Sequence, residues 1–278
     1  MFRLLVAYLS VAGSAFVFAA ENDLSSLRIG VQEGLVKRYH SAGRMLWSHG
    51  VVAEIFGREG YDVNMIELPN RRIPYELAKN NVDCVVAHVH GLEEYADDFL
   101  ESQYPVSLIT FYIYYDHRKG WNPVWPPDKV FRSKAGKSKQ SSSVLKQQFD
   151  LNISWAKDFD EGVKLVNHGR IDYWLENIGG LVLLESGQIR APEEGFTLKP
   201  IYEKSLYVYF QSSPQGKRFR RVFNKGHARL LESGELAVVF FGGEVNPREA
   251  EFINNTVKYI NSHFPMVEFP LYKAKLLP

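Results

Sequence analysis

The stretch FNKGHARLLESGELAVVF, Phe223 to Phe240, and two shorter segments of similar layout decide the fold of this chain. The two segments are ELAKNNVD, Glu76 to Asp83, and KLVNHGRID, Lys164 to Asp172. In both, a short apolar helix ends in a polar turn and a strand then begins at an aspartate. Two matched helix-strand units predict two similar lobes.

Strands and helices alternate around both units. The first part predicts strands at 27–31, 62–68 and 82–87, with helices at 45–58 and 73–80 between them. The second part predicts a helix at 143–149, a strand at 153–156, a helix from 158 to 167 and a strand at 171–175, after a weakly marked strand at 130–133. Such βαβ order implies a mostly parallel sheet in each lobe. The apolar strand 107–115 is suited to cross between the lobes, and 202–211 to return.

The N-terminal residues indicate export. Arg3 precedes the apolar run 4–18, and small residues allow cleavage after Ala19, which is typical of a signal peptide over residues 1–19. The run is shorter than the ~20 apolar residues of a spanning helix, so a membrane anchor is the weaker interpretation. The chain has 33 basic and 32 acidic residues, a balance that gives no electrostatic reason to expect nucleic acid. Its one cysteine, Cys84, excludes an internal disulfide and is predicted to be a small buried hydrophobe.

Several segments in this order resemble the family 3 periplasmic solute-binding proteins. They are the strand 27–31, the helix-strand unit 77–86, the entry Ser102-x-Tyr104-Pro105-Val106, the strand start 169–172, and Phe223-Asn224 followed by 233–236. The resemblance implies the α/β type 2 fold, in which two crossover strands join two lobes and a ligand cleft lies between them. Lobe 1 is then 20–110 with 203–278, and lobe 2 is 111–202. It further implies a monomer without a cofactor that closes on a small solute and meets an ABC permease or a membrane sensor.

Ligands of open parallel sheets collect beyond the carboxyl ends of the strands. We therefore expect contacts from the loops after the first strand and after the two matched strands, from the crossover, and from the helix start near residue 141. For each residue, an ordinary place in a solvated loop or in the core is the alternative. The candidate ligand contacts are Glu33, Tyr39, His88, His90, Tyr95, Tyr112, Ser142 and Asn177.

Two of these positions argue against an ordinary α-amino acid as the ligand. The resemblance implies an arginine for the ligand carboxylate where this chain has Tyr95, and an aspartate for the ligand ammonium where it has Asn177. Without both partners, the two charges of an amino acid would be buried unpaired. A shifted loop that brings in another arginine, and a chain that has lost solute binding, are the open alternatives.

Catalysis and metal binding have little support in the sequence. Serine-hydrolase, zinc-protease, Walker and dinucleotide motifs are absent. A dehydratase on the same fold, with Glu33, Glu176 or His88 as its acid-base, is a minor alternative. His88 and His90 supply only two ligands to a metal, so no metal site is predicted.

Overall fold

The computed structural model describes residues 26–32, 47–69, 72–87, 97–120, 135–138, 153–156, 159–177 and 194–273. Its strands are β1 (Ser26–Gln32), β2 (Asp62–Leu68), β3 (Cys84–Ala87), β4 (Phe99–Glu101), β5 (Ser107–Asp116), β6 (Ala135–Ser138), β7 (Ile153–Ala156), β8 (Tyr173–Asn177) and β9 (Phe196–Gln211). Its helices are α1 (Trp47–Arg58), α2 (Ile73–Ala78), α3 (Phe159–Asn167), α4 (Pro214–Ser233), α5 (Leu236–Phe241) and α6 (Pro247–His263). None of these helices combines the length and the apolar character that a bilayer span requires.

The strands follow the order β2-β1-β3-β9-β5-β8-β6-β7, and β4 pairs with β9 beside this path. In one half, β1 lies parallel to β2 and to β3. In the other half, β6 lies parallel to β7 and to β8. The long strands β5 and β9 pair antiparallel between the halves. Two parallel half-sheets joined by two crossover strands are therefore present, as the element order predicted.

Most element bounds agree with the sequence pattern. The predicted strands 62–68 and 153–156 coincide with β2 and β7. The sequence Asn246-Pro247-Arg248-Glu249 predicts a capping box at the start of a helix. Such a box opens α6, because Asn246 Oδ1 accepts from the Glu249 amide and Glu249 Oε2 accepts from the Asn246 amide, both at 3.0 Å. Two differences concern the return crossover: β9 begins at Phe196, earlier than predicted, and the short strand β4 pairs with its far end. The predicted signal peptide, strand 130–133 and helix 143–149 lie outside the described residues.

The matched aspartates of the two units have different surroundings. Asp83 is buried before β3 and accepts three hydrogen bonds from Arg28, from its backbone N at 2.7 Å, its Nε at 3.1 Å and its Nη2 at 2.9 Å. This pair fastens β3 to β1, and charge-assisted bonds of this kind are the stronger ones. Asp172 before β8 is exposed. The repeated motif therefore marks the same chain path at two different degrees of burial.

The largest core lies on one face of the lobe 1 sheet. Val208 and Phe210 of β9 pack there with apolar residues of α1, α4, α5 and α6, among them Phe56, Phe223 and Phe240. Cys84 belongs to this cluster, and burial raises the pKa of its thiol, which agrees with the predicted role of a buried hydrophobe. The opposite face packs against α2.

Residues 264–273, which we call the strap, run back along α6 and reach the start of β5. Asn261 Nδ2 donates to the Phe269 carbonyl at 3.0 Å, and the Phe269 amide donates to Asn261 Oδ1 at 2.8 Å. Asn254 forms the same pair of bonds with Tyr272, at 3.1 and 2.7 Å. The strap encloses the buried ring of Tyr104, which meets Phe264 and Phe269 edge to face at 5.4 Å each. The entry to the first crossover is thereby fixed by α6 and the strap.

Replacing Asn261 by alanine should therefore destabilise the protein by about 1–3 kcal/mol, because it leaves two backbone groups of the strap without their partner. Urea denaturation gives the free energy of unfolding. Asn255→Ala is the matched control, since Asn255 is exposed on the same helix. Equal stability of the two variants would contradict the role assigned to the strap.

His227 on α4 predicts a loss of stability in acid. Its ring is 1% exposed and tilted against Phe223 at 5.3 Å, and neither ring nitrogen has a hydrogen-bond partner in the part of the chain that the structure describes. Burial lowers the pKa of His227 to about 4. Below pH 6.5 the unfolded chain binds a proton at this histidine, while the folded chain keeps it neutral. The free energy of unfolding is therefore highest above pH 6.5 and decreases as pH falls from 6.5 toward 4.

In the variant His227→Leu, the free energy of unfolding should fall less between pH 7.5 and pH 5 than in the unchanged chain, by about 2 kcal/mol. Denaturation at several pH values measures the slope. His49, whose pKa burial lowers to about 4, maintains part of the slope in both proteins. An identical slope in the His227 variant would refute the prediction.

Candidate functional site

The two half-sheets direct their carboxyl ends at one section of the crossover pair. β3 ends at Ala87, which lies opposite Tyr207 of β9. β8 ends at Asn177, which lies opposite Phe111 of β5. Because β5 and β9 are antiparallel, with Ser107 opposite Leu206 and Phe111 opposite Tyr202, both ends approach the same section from opposite sides. We call this section, 107–111 with 202–206, the hinge centre.

The ladder between the crossover strands is interrupted at the edge of the hinge centre. Phe111 lies opposite Tyr202, whereas the next residue, Tyr112, lies opposite Pro200, so the register skips Ile201. A bulge bends the strand that contains it and increases the local twist. The absence of an amide hydrogen on Pro200 also removes one donor from the ladder. The irregularity lies where the end of β8 meets β5, since Phe111 pairs with Asn177 on one side of it and Tyr112 pairs with Glu176 on the other.

One face of the hinge centre is polar and acidic. Thr110, Tyr112 and Glu203, which we call the hinge face, lie on the same side because Thr110 is opposite Glu203 and Tyr112 is two residues further along β5. The Thr110 hydroxyl donates to Glu203 Oε1 at 3.4 Å. Glu203 is exposed and Tyr112 is half-buried. Burial raises the pKa of Tyr112, and the carboxylates of Glu203 and of Glu251 on α6 raise it further.

The polar character of this face continues along β9 into lobe 1. Burial, and then the charge of Glu101, raise the pKa of Tyr207 to about 12. The next tyrosine on the same face, Tyr209, donates its hydroxyl to Glu101 Oε2 at 2.7 Å. Phenols and carboxylates, rather than basic groups, therefore follow one another from the hinge face to β4.

The opposite face of the hinge centre receives the first turn of α1. Ser48 and Ser107 are both buried, and their hydroxyl oxygens lie 3.3 Å apart. From the edge of β5, the Leu108 amide donates to Thr256 Oγ1 of α6 at 3.1 Å. The hinge centre is thus held by side chains of two helices in addition to its own ladder.

The structure describes two of the sequence-derived candidates. Tyr112 lies on the hinge face, and the backbone of Asn177 ends β8 beside the hinge centre. Sequence reasoning did not name the other two residues of the hinge face, Thr110 and Glu203. Alternation from Tyr112 would have indicated Thr110, but its partner across the strands depends on the register between β5 and β9. The remaining candidates, all outside the described residues, are Glu33, Tyr39, His88, His90, Tyr95 and Ser142.

The described part of the chain contains no further candidate for a metal site. There, no three side chains of His, Cys, Asp or Glu come together as the ligands of an ion would. The pair His88 and His90 lies outside that part.

Comparison with known proteins gives the fold. No family model and no curated protein matches the sequence. Among solved structures, a histidine kinase sensor domain with similarity to periplasmic binding proteins aligns with a TM-score of 0.55 at 11% identity over 78% of this chain and 95% of that one. An ancestral arginine-binding protein bound to arginine gives 0.53 at 14% identity over 78% and 96%. The substrate-binding protein of an amino acid ABC transporter gives 0.51 at 11% identity over 77% and 97%.

These similarities extend over nearly the whole of each compared structure, while the sequences are too different to imply shared ligands. Together with the two half-sheets and their crossover pair, they confirm the fold that the resemblance implied. The chain has the two-lobed α/β fold of the periplasmic solute-binding proteins.

Proposed function

We propose that this chain captures a small polar solute between its two lobes and presents it to a membrane protein. The observation that carries the proposal is the convergence of β3 and β8 on the hinge centre, beside the polar hinge face. Loops that follow parallel strands supply free backbone amides, and a hinge between them allows closure around a ligand. Fold likeness to binding proteins supports the same role.

The chemistry of the hinge face favours one kind of solute. Glu203 is its exposed charge, Glu251 lies near enough to raise the pKa of Tyr112, and Thr110 is already bonded to Glu203. A ligand carboxylate placed here would face like charges, whereas hydroxyl or ammonium groups would find acceptors. We therefore propose a neutral or cationic solute rich in hydrogen-bond donors. With Tyr95 and Asn177 at the positions of the expected charged clamps, an ordinary α-amino acid is not the proposed ligand.

The partner belongs to one of two classes. The compared structures include a transporter component and a sensor domain, so the same fold serves both kinds of membrane protein. We propose delivery to an ABC importer as the first role and ligand sensing for a membrane receptor as the second. A catalytic role, with Glu33, Glu176 or His88 as acid-base, is the minor alternative.

The lobe boundaries and the location are part of the proposal. Lobe 1 comprises 20–110 and 203–278, lobe 2 comprises 111–202, and β5 and β9 contain both junctions. The protein acts as a monomer in the periplasm after removal of residues 1–19. Mass spectrometry of protein from the periplasm of an expression host checks the cleavage after Ala19.

A thermal-shift screen tests the proposal directly. The protein is unfolded and refolded to remove any solute carried through purification, then mixed with sugars, polyamines, amino acids, organic acids and phosphorylated metabolites. A binder at ~100 times its Kd should stabilise the fold by roughly 2.7 kcal/mol, which raises Tm visibly. We expect a response to a polyol or a polyamine. A response to ordinary amino acids alone would contradict the ligand class, and no response would count against solute binding.

Substitutions on the hinge face should weaken binding of the solute that the screen identifies. Glu203→Gln and Tyr112→Phe each remove one polar group from the face, and a lost hydrogen bond to the ligand costs on the order of 1–3 kcal/mol, or ~5- to 150-fold in Kd. Isothermal titration measures the change. Glu232→Gln, at an exposed position of α4, is the matched control and should leave Kd unchanged. Consumption of the solute, followed by mass spectrometry, would instead support the catalytic alternative.

A further inference from the structure

One face of α4 carries a row of positive charge. Lys217, Arg218, Arg221 and Lys225 are exposed on this helix. At 100° per residue they fall within about 100° of arc, opposite the buried Phe219 and Phe223, and they span ~12 Å along the axis. We call these four residues the basic stripe. No acidic residue occurs in α4 before Glu232.

The basic stripe differs from the neighbouring Arg229 in its contacts. Among the described residues, none of the four forms an ion pair or a side-chain hydrogen bond, whereas the neighbouring Arg229 binds Glu59 at 2.9 Å. The chain has 33 basic and 32 acidic residues, so the stripe is a local excess on a protein that is otherwise slightly acidic. An unpaired row of this kind attracts a negatively charged partner.

The basic stripe lies on the outer side of α4, opposite the side whose phenylalanines are buried. α4 starts beyond the far end of β9, where Phe210 lies opposite Cys84 at the start of β3. The helix then runs back beside the entry to β5, because Asn224 Oδ1 accepts from the Gln103 amide at 2.9 Å. Since the stripe lies within one lobe, closure of the hinge leaves its geometry unchanged, and it cannot report whether the cleft is occupied.

The surface around the stripe is also unlike a protein interface. Stable interfaces centre on buried aromatic or other large apolar side chains. The large hydrophobic residues exposed in the described part of the chain are Tyr75, Val238, Met266 and Leu271, and none lies on α4. Attraction without an apolar anchor suits a fluid anionic surface better than a folded partner.

We propose that the basic stripe holds the protein at an anionic lipid surface, independently of solute. Lysine and arginine side chains near such a surface gain electrostatic free energy, and the gain disappears with salt. The contact is weak and reversible, so it raises the concentration of the protein at the membrane where a permease or sensor lies. The inference does not require the proposed solute binding.

Sedimentation with vesicles tests the proposal. The full chain is mixed at low salt with vesicles of phosphatidylcholine, with or without about one third phosphatidylglycerol. Apolar insertion of residues 4–18 adds equally to binding with both kinds of vesicle. The difference in bound protein between the two vesicles therefore reports the effect of charge. We expect anionic vesicles to bind more protein, and salt raised from ~0.02 M to ~0.3 M to abolish the difference, because the Debye length falls to well under 10 Å.

A charge-matched pair of variants assigns the binding to the stripe. Replacing all four of its residues by glutamine should lower the anionic-specific partition by at least ~10-fold. The control replaces four exposed basic residues elsewhere by glutamine, at Lys164, Arg170, Lys258 and Lys273, with the same change in net charge. It should retain most of the binding, and equal Tm values establish that both variants are folded.

Three outcomes would overturn the proposal. The first is equal sedimentation of wild-type protein with neutral and anionic vesicles, and the second is an equal loss of binding in the two variants. The third is binding of wild-type protein to immobilised polyglutamate without binding to anionic vesicles, which would assign the stripe to an acidic protein partner instead.

Discussion

The antiparallel pairing of β5 with β9 is the constraint on which the rest of the molecule depends. The ten residues of β5 pair with ten residues of β9 between Phe196 and Leu206, in one ladder that lies between the two half-sheets. Each half uses a different end of this ladder, lobe 1 through β3 and lobe 2 through β8. β3 runs antiparallel to β9, β8 runs antiparallel to β5, and β5 and β9 run in opposite directions. The carboxyl ends of both half-sheets therefore point at the same section of the crossover pair.

That section is stiffened by its surroundings and interrupted at one edge. Ser48, Thr256 and the strap hold the lobe 1 side, while the bulge between Phe111 and Tyr112 breaks the register toward β8. A rigid ladder with one local irregularity is suited to bend at that place, because bulges concentrate twist and leave a residue unpaired. Binding of a solute between two lobes needs this combination of fixed lobes and a narrow flexible joint.

The molecule has two charged surfaces of opposite sign. Near neutrality of the whole chain conceals an acidic hinge face on the crossover pair and a basic stripe on the outer side of α4. We propose that a solute meets the first and an anionic lipid surface meets the second. The two surfaces share no residue, so a substitution in one leaves the side chains of the other unchanged.

The sequence by itself determined the order of elements, the two lobes and the crossovers, because helical and strand periodicities are local patterns that a single sequence displays. It also determined the cap at Asn246 and the burial of Cys84, which depend on immediate neighbours. Tertiary structure alone decided that Asp83 binds Arg28 while Asp172 is exposed, that Glu203 meets Thr110, and that the strap encloses Tyr104. Those contacts join residues far apart in sequence, and their partners follow from strand register and from the return of the strap along α6, which no local pattern encodes.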